Sequence, residues 1–306
     1  MNVSVVIPVY NSVQTLPILV DDLSSLREVT EIILVNDGSS DEVAKFITSN
    51  LQGNPKIVFI DLFRNFGQLA AISAGMHYAN GDYVVIMDDD LQHPVNQIPK
   101  LLKSILEGYD FVFALPIEAI HPRNRKLGSR LNRKLMQWAN GQSKSLEVSS
   151  FYVVTQEVAK YVAKYQGPFP YISGRIFSLT HFGINIKVEM NSRNYGKSNY
   201  TLQKLAKQTF NGLFNYSLRP LRLAIFAGIF ISSLAFISIT YLVLRYLIYK
   251  SLIIPGWTSI IISYLFFSGL QLIFFGLIGE YVGRIFIAQG QYPQYEIRSI
   301  RMMGKE

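Results

Sequence analysis

Three consecutive carboxylates, Asp88, Asp89 and Asp90, are the residues of this chain best suited to chemistry. They follow directly on the apolar run from Tyr83 to Met87, which is typical of a buried parallel strand. Ligands bind at the carboxyl ends of the strands in open α/β sheets, so the triplet stands where a ligand is expected. Adjacent carboxylates repel one another unless a cation is present, and hard oxygen ligands suit Mg²⁺ or Mn²⁺. Asp88 and Asp90 are two residues apart and can share a face, which makes them candidate metal ligands; a solvated acidic turn is the alternative.

The sequence before this triplet alternates between strands and helices, which predicts a doubly wound, mostly parallel α/β sheet. The predicted strands cover Val3–Val9, Glu31–Val35 and Lys56–Asp61, and the helices between them run to about Leu26, over 41–50 and over 68–79. Asn11 or Ser12 is the expected cap of the first helix. Because every polar loop follows the end of a strand, the loops are expected on one rim of the sheet, together with the carboxylates.

Composition excludes some kinds of site and predicts a membrane protein. With no cysteine among 306 residues, disulfides and thiolate metal sites are ruled out. The amino terminus has neither the cationic start nor the long apolar run of a signal peptide, so the first domain is expected in the cytoplasm. No charged residue occurs from Leu223 to Leu244 or from Ser251 to Gly279, and about 20 apolar residues suffice to cross a bilayer. We therefore predict two transmembrane helices, near 222–246 and 257–282.

Charges that flank these spans predict their orientation. Basic flanks stay in the cytoplasm. The flanking cations are Arg219, Arg222, Arg284, Arg298, Arg301 and Lys305. The protein is therefore expected to be a multi-pass protein of the inner membrane with both termini in the cytoplasm and Lys250 in the outer connector. Gly276, Gly279 and Gly283 form a small-residue seam that suits pairing of the two spans or a homo-oligomer.

Two basic amphipathic segments are predicted close to the spans. Between Arg123 and Lys144 there are seven cations and no acid, and the leucines of 124–140 recur at helical spacing. A second helix of this kind, 201–216, runs into the first span. Such helices suit the surface of an anionic membrane. The same charges suit nucleic acid, but the adjacent spans argue against it, so no nucleic-acid partner is expected.

Four motifs in this order and spacing, VVIPVYN, VNDGSSD, RNFGQ and MDDDLQHP, resemble those of inverting family-2 glycosyltransferases with a GT-A fold. Within that family the chain is similar to polyprenyl-phosphate glycosyltransferases, which include dolichyl-phosphate mannose synthases and the undecaprenyl-phosphate glucosyl and aminoarabinose transferases. The resemblance extends over nearly the whole chain, because NYGKSNYTLQKL, SLRPLRL, GLIGEYVGRIF and YPQYEI are similar to the carboxyl half of that group.

The resemblance implies roles for residues on the rim. Asp37 is expected to hold the nucleotide base, Asp88 the ribose or diphosphate region, and Asp90 the divalent metal, while Asp89 is expected to point away. His93, next to Gln92, is a candidate for contact with a phosphate. The implied catalytic residues are Asp88, Asp90 and Gln92, and the implied nucleotide-sugar-binding residues are Pro8, Tyr10, Asn11, Asp37, Arg64, Gln68 and Asp88.

A lipid phosphate is an acceptor that these residues could serve without a strong base. Its oxygen is already anionic at pH 7, so the site needs a cationic cradle that positions the phosphate. The candidate cradle residues are Arg125, Arg130, Arg193 and Lys197. Two positions depart from the family pattern: Tyr152 stands where an Arg near the acceptor is common, and Ala114-Leu115-Pro116 replaces an Arg after the fifth strand.

The sequence thus predicts a metal-dependent glycosyltransferase with a GT-A domain over 1–200, a juxtamembrane helix over 201–220, two spans within 221–284 and a cytoplasmic tail over 285–306. It would transfer one sugar from a nucleotide sugar, expected to be UDP-linked, to undecaprenyl phosphate with inversion, using Mg²⁺ or Mn²⁺. The lipid-linked monosaccharide would serve cell-surface glycan modification. Two alternatives stay open: transfer to a hydroxyl-bearing lipid acceptor, and a non-catalytic membrane subunit that binds nucleotide sugar or lipid.

Overall fold

The computed structural model describes residues 1–117, 146–165, 167, 170–191, 219–249, 256–290 and 293–304. The chain forms two compact units, one of Met1–Leu205 with Gln291–Glu306 and one of Ala206–Gly290. The predicted basic helices 124–140 and 201–216 lie outside the described residues, and so do the four candidate cradle residues Arg125, Arg130, Arg193 and Lys197.

The first unit is built on an eight-stranded mixed sheet. Its strands are β1 (Val3–Val9), β2 (Val29–Asn36), β3 (Ile57–Leu62), β4 (Tyr83–Ile86), β5 (Phe111–Pro116), β6 (Tyr152–Thr155), β7 (Gly183–Val188) and β8 (Ile297–Met302). They lie side by side in the order β7-β5-β6-β4-β1-β2-β3-β8. The pairs β4–β1, β1–β2, β2–β3 and β5–β7 are parallel, and β6 and β8 run antiparallel to their neighbours. The prediction of an α/β, mostly parallel sheet is confirmed.

Helices cover both faces of this sheet. For this reason the strand side chains that point to either face are apolar. The helices are α1 (Leu16–Ser25), α2 (Val43–Asn50), α3 (Gln68–Tyr78), α4 (Ile98–Ile105), α5 (Gln156–Ala163) and α6 (Ile172–Leu179), with a 3₁₀ turn at Val95–Gln97 before α4. One core layer joins α1, α2 and α4 to residues such as Val5 and Ile7. The other joins α3, α5 and α6 to alternate residues such as Val6 and Ile33. Burial on both faces explains the continuous apolar runs of β1 and β2.

Predicted strands and helices agree with the structure to within a few residues, but the predicted cap of the first helix is wrong. The helix begins at Leu16 with Thr15 at the N-cap position, and no side chain caps it. Ser12 instead accepts hydrogen bonds from the amides of Thr15 and Leu16 through its backbone carbonyl. The side chain of Asn11 is used elsewhere, in a contact between two loops that bears on the site.

The second unit contains two long helices, α7 (Arg219–Tyr249) and α8 (Trp257–Gln289). Among its described residues, the segment Phe266–Gln289 of α8 is long and apolar enough to cross a membrane, and in α7 a shorter apolar stretch, Leu221–Ile231, is recognised. Large apolar side chains on both helices are exposed, for example Phe230 and Phe286. One of the two predicted spans is therefore matched in the structure, shifted towards the carboxyl end, and the second stays a prediction.

Candidate active site

The site lies where β4, β1, β2 and β3 end. These four strands are adjacent and parallel, so the loops that follow them meet at one edge of the sheet. The loops carry all the described residues that the resemblance assigns to the donor and the metal, apart from Pro8 within β1 and Gln68 at the start of α3. We call them the β4, β1, β2 and β3 loops, covering 87–94, 10–15, 37–42 and 63–67 respectively.

A strained turn shapes the β4 loop around its carboxylates. Leu91 has a φ of 61°, a left-handed conformation that side chains with a Cβ rarely adopt. The turn brings the amide of Gln92 to 3.1 Å from Oδ1 of Asp90. Asn191 holds the turn from outside, since its backbone amide donates to the carbonyl of Gln92 and its side-chain amide to the carbonyl of Leu91. The amide of Gln92 therefore orients Asp90 within a turn that Asn191 holds in place.

Asp89, the middle carboxylate, binds the neighbouring β1 loop. Its Oδ2 accepts a hydrogen bond from the amide of Tyr10 at 3.1 Å. Burial raises the pKa of Asp89 to about 6, and the carboxylates of Asp88 and Asp90 add to the rise. Asp89 was expected to point away from the ligand, and its carboxylate makes a contact that links two loops.

Asn11 connects the β1 loop to the β2 loop. The residue has a φ of 53°, which Asn tolerates better than most residues. Its Oδ1 accepts hydrogen bonds from the amides of Ser40 and Asp41 at 2.8 and 3.3 Å, and its own amide donates to the hydroxyl of Ser39 at 3.1 Å. A contact across two loops thus replaces the helix cap expected from the sequence.

Asp37 connects the β2 loop to the β3 loop. Its two carboxylate oxygens accept hydrogen bonds from the amides of Phe66 and Gly67, at 2.7 and 2.9 Å. The side chain is 3% exposed, and burial raises its pKa although the two amides oppose the rise. Next to it, Gly38 has a φ of 63°, and a Cβ built there would lie 2.4 Å from the carbonyl carbon of Arg64. The two loops can approach this closely only because residue 38 is glycine.

Gln68, the first residue of α3, closes the circle. Its Nε2 donates to Oδ1 of Asp88 across 2.5 Å. The four loops are therefore joined in a closed series of contacts that we call the loop ring. Its contacts are Asp89–Tyr10, Asn11–Ser40, Asp37–Phe66 and Gln68–Asp88.

The remaining donor-side residues of the sequence analysis differ in their placement. Tyr10, Asn11, Arg64 and Gln68 are all exposed; Arg64 stacks on the ring of Phe66 with 4.5 Å between its Cζ and the ring centroid. Pro8, by contrast, is buried inside β1, paired with Val35. The structure thus brings these four predicted residues, but not Pro8, to the surface of the rim.

His93 has a structural contact that sequence reasoning missed. The ring is 5% exposed and stacks on Phe151 at 4.9 Å between centroids, and its Nδ1 accepts the amide of Asp88 at 3.2 Å. Burial lowers its pKa to about 4, although Asp90 opposes the shift. A neutral His93 therefore supports the backbone of the acidic triplet. Its position next to Gln92 was the only sequence signal, and it gave no information on burial.

Tyr152 is also a buried residue. The side chain is 5% exposed in β6 and packs against Phe113 with 5.2 Å between ring centroids. Burial also raises the pKa of its hydroxyl above the usual range. Since the position belongs to the core, a cation there would be buried, and a cradle for an acceptor phosphate has to come from other residues.

The carboxylates fit a divalent metal that is completed by a substrate. Within the described part of the chain no group of three or more His, Asp or Glu side chains could enclose a metal ion. Mg²⁺ is commonly bound by one or two carboxylates together with substrate phosphates. Asp88 and Asp90 supply hard oxygen atoms of this kind, so the described residues fit a cation whose coordination a substrate completes.

Comparison with known proteins agrees with this geometry. Residues 4–167, more than half of the chain, match the family Glycosyl transferase family 2. The Bactoprenol glucosyl transferase of Shigella phage SfV is 28% identical over 98% of this chain and 99% of its own length. The Undecaprenyl-phosphate 4-deoxy-4-formamido-L-arabinose transferase of Yersinia enterocolitica is 32% identical over 97% of this chain and 93% of its own.

Solved structures of other proteins are similar to this chain in fold. Glucosyl-3-phosphoglycerate synthase from Mycobacterium tuberculosis, in complex with Mn²⁺, UDP and glucosyl-3-phosphoglycerate, has a TM-score of 0.54 at 19% identity over 71% of this chain and 80% of its own. Mannosyl-3-phosphoglycerate synthase from Rubrobacter xylanophilus has a TM-score of 0.53 at 20% identity over 73% and 74%. The order of motifs, the rim of parallel strand ends and the family match all lead to one conclusion: the chain belongs to glycosyl transferase family 2.

Proposed function

We propose that this protein transfers one sugar from a nucleotide sugar, UDP-linked by preference, to undecaprenyl phosphate with inversion at the anomeric carbon. The observation that carries the proposal is the loop ring, which holds Asp37, Gln68, Asp88 and Asp90 on one rim of the sheet. The names of the two relatives above, which match over nearly the whole chain, support a lipid phosphate as the acceptor class.

The proposed donor site uses the exposed side of the loop ring. Tyr10, Asn11 and Arg64 line the base and ribose, with Pro8 supporting the start of the β1 loop from inside the sheet. Asp37, which is buried, holds the β3 loop with its Arg64 in place through the amides of Phe66 and Gly67. Gln68 orients Asp88 through their hydrogen bond, so a rigid carboxylate meets the donor.

A divalent cation fits the proposed mechanism. Asp90 and Asp88 would hold Mg²⁺ or Mn²⁺, and the bound cation would supply positive charge to stabilise the leaving nucleoside diphosphate. The amide of Gln92 orients one carboxylate oxygen of Asp90. The carboxylates therefore need little reorganisation when charge develops, which is how an electrostatic site accelerates a reaction.

The proposed acceptor site follows from the charge of a lipid phosphate. A lipid phosphate attacks through an oxygen that is already anionic, so positioning by Arg125, Arg130, Arg193 and Lys197 would replace a general base. A hydroxyl acceptor would need a base. Among the described residues of the β4 loop, the carboxylate beyond the two candidate ligands is Asp89, and its Oδ2 is bound to the β1 loop. This observation favours the phosphate acceptor over a hydroxyl-bearing lipid.

Chain connectivity supports two membrane crossings. Strand β8 follows α8 in sequence and pairs with β3 in the sheet that precedes α7. The chain therefore returns to the side of the membrane that it left, so it crosses an even number of times. If Phe266–Gln289 spans the bilayer, α7 also spans it, with catalytic domain and both termini in the cytoplasm. Within that segment Glu280 and Arg284 form an ion pair at 2.5 Å, which reduces the cost of placing either charge near lipid.

A comparison of acceptors tests this function. Purified protein with Mg²⁺ or Mn²⁺ and a panel of UDP- and GDP-sugars would be given undecaprenyl phosphate, undecaprenol or diacylglycerol in turn, and release of nucleoside diphosphate would be measured. We expect release with undecaprenyl phosphate. Release with an alcohol alone would favour the hydroxyl-acceptor enzyme, and binding of donor or lipid without release from any pair would favour a non-catalytic subunit.

A further inference from the structure

The strand that follows the membrane helices is fastened to the loops of the donor site. Strand β8 pairs antiparallel with β3, and the amide of Phe63, the first residue of the β3 loop, donates to the carbonyl of Glu296 at 3.0 Å. Close to this contact, the hydroxyl of Ser73 in α3 donates to Oε1 of Gln294 at 3.3 Å, and both side chains are buried. The tail is therefore part of the body that carries the site.

A bulge in β8 aims one arginine at this loop. Ile297 pairs with Leu62 and Ser299 pairs with Asp61, so the pairing skips Arg298. An extra residue of this kind turns a side chain out of the regular alternation. Arg298 uses this freedom to donate from one guanidinium nitrogen to the carbonyl of Phe63 at 2.9 Å, and its Cζ lies 5.4 Å from the Phe63 ring centroid.

The same guanidinium begins a chain of contacts to the β2 loop. Another nitrogen of Arg298 lies 3.6 Å from Oδ2 of Asp61, whose side chain is 11% exposed. Oδ1 of Asp61 accepts from the side-chain amide of Asn36 at 2.7 Å, and Oδ1 of Asn36 accepts from the amide of Ser39 at 3.1 Å. Arg298 thus touches the β3 loop directly and the β2 loop through two side chains. These are the loops that Asp37 joins.

We propose that Arg298 is a positioning residue for the donor site, through which the tail after α8 sets the affinity for the nucleotide sugar. This inference rests on the proposed function for its donor, and on the hydrogen bonds above for its geometry. Loss of the guanidinium frees the carbonyl of Phe63 and leaves Asp61 without its cation, so both loops relax. Because the ion pair is partly solvated, the effect on binding is moderate.

The test uses full-length protein in detergent. Arg298→Ala is expected to raise the KM for the nucleotide sugar about three- to tenfold, with kcat and the KM for undecaprenyl phosphate as in the unaltered protein. Arg298→Lys, which keeps the charge but not the fork of donors, recovers part of the loss. Arg301→Ala is the matched control, because it removes the same charge from a regularly paired residue of the same strand. If Arg298 only stabilised the fold, its loss would not raise the KM for the nucleotide sugar while leaving the other kinetic constants unchanged.

A second readout does not depend on turnover. In substrate-free protein, hydrogen–deuterium exchange of peptides covering 63–68 is expected to accelerate in Arg298→Ala and not in Arg301→Ala. If Arg298→Ala does not fold, Asp61→Asn takes its place, since it removes the ion pair and keeps an oxygen for Asn36. Equal donor KM and equal exchange in the Arg298 and Arg301 variants would overturn the proposal. If no donor supports turnover in the unaltered protein, the proposed function fails, and exchange alone decides the positioning role.

Discussion

Gln68 and Asp88 are joined by a hydrogen bond of 2.5 Å between Nε2 and Oδ1, which connects the start of α3 to the end of β4. Neither residue is close to the other in sequence, and each follows a different strand of the rim. Their contact completes a circle of four loops, so each loop is bonded to both of its neighbours.

Asp89 tests whether the loop ring supports donor binding. Asp89→Ala removes the acceptor of the Tyr10 amide and is expected to raise the donor KM about tenfold, the effect of one lost charge-assisted hydrogen bond. Asp89→Asn keeps an oxygen in the same place and is the matched control, expected to stay near the unaltered KM. Steady-state kinetics with varied nucleotide sugar measures both. Equal KM values for the two variants would show that the Tyr10 contact does not matter for the donor.

Gly38 tests the close approach of the β2 and β3 loops. Gly38→Ala places a Cβ 2.4 Å from the carbonyl carbon of Arg64, so the loops must separate and activity is expected to fall steeply. Gly53→Ala is the control: its φ is also positive, at 89°, but a Cβ there meets nothing within 4 Å. Both variants carry backbone strain of about 1–2 kcal/mol, so a similar fall in thermal stability is expected from that source. A similar loss of activity in both would contradict the account.

The pH dependence of stability tests whether His93 is buried beneath the acidic triplet. Its pKa is about 4 in the folded protein against 6.5 for a solvated histidine, so the unfolded chain binds more protons between these values. Stability is therefore fully present above pH 6.5 and is lost as pH falls towards 4, by up to about 3 kcal/mol. His93→Asn keeps an acceptor but does not titrate, so thermal melts from pH 7 to 4.5 should show a shallower loss. Parallel curves would mean that His93 is not buried as described.

Membrane topology can be tested with introduced thiols, because the chain has no cysteine. Lys250→Cys is expected to react with a membrane-impermeant maleimide on intact cells. Ser49→Cys, at an exposed position of α2, is expected to react only after permeabilisation. Labelling of both from outside, or of neither, would contradict an even number of crossings with a cytoplasmic catalytic domain.

Local patterns were sufficient to predict much of the fold. The apolar run of β1 was predicted with the bounds Val3–Val9 that the structure has, because burial on both faces leaves a continuous signal. The rim was also predictable, since each polar loop follows a strand. In contrast, β8 was expected to be a simple tail, because Ile297–Met302 becomes a strand only by pairing with β3, which is more than two hundred residues away in sequence.

The candidate active site was also predictable only in part from the sequence. Side-chain types and spacing predicted Asp88 and Asp90 as metal ligands, and this stays a prediction. No local pattern indicates that Asp37 is occupied by two amides or that Asn11 reaches Ser40. These contacts depend on the order of the strands, which brings distant loops together. His93 illustrates the limit: its neighbours in sequence suggested a ligand contact, and its burial against Phe151 makes it a support for the backbone.

The most direct test of the proposed reaction is the mass of the lipid product. The unaltered protein, Asp90→Asn and Asp82→Asn would each be incubated with undecaprenyl phosphate, Mn²⁺ and the active UDP-sugar, and the lipid analysed by mass spectrometry. Asp82 is an exposed carboxylate at the opposite end of β4, bonded to the amide of Asn2, and serves as control. We predict a product one sugar heavier than the lipid phosphate, lost on adding EDTA, reduced at least about 100-fold in Asp90→Asn and unchanged in Asp82→Asn. A product of undiminished yield from Asp90→Asn, or no sugar on the lipid phosphate from the unaltered protein, would contradict the account.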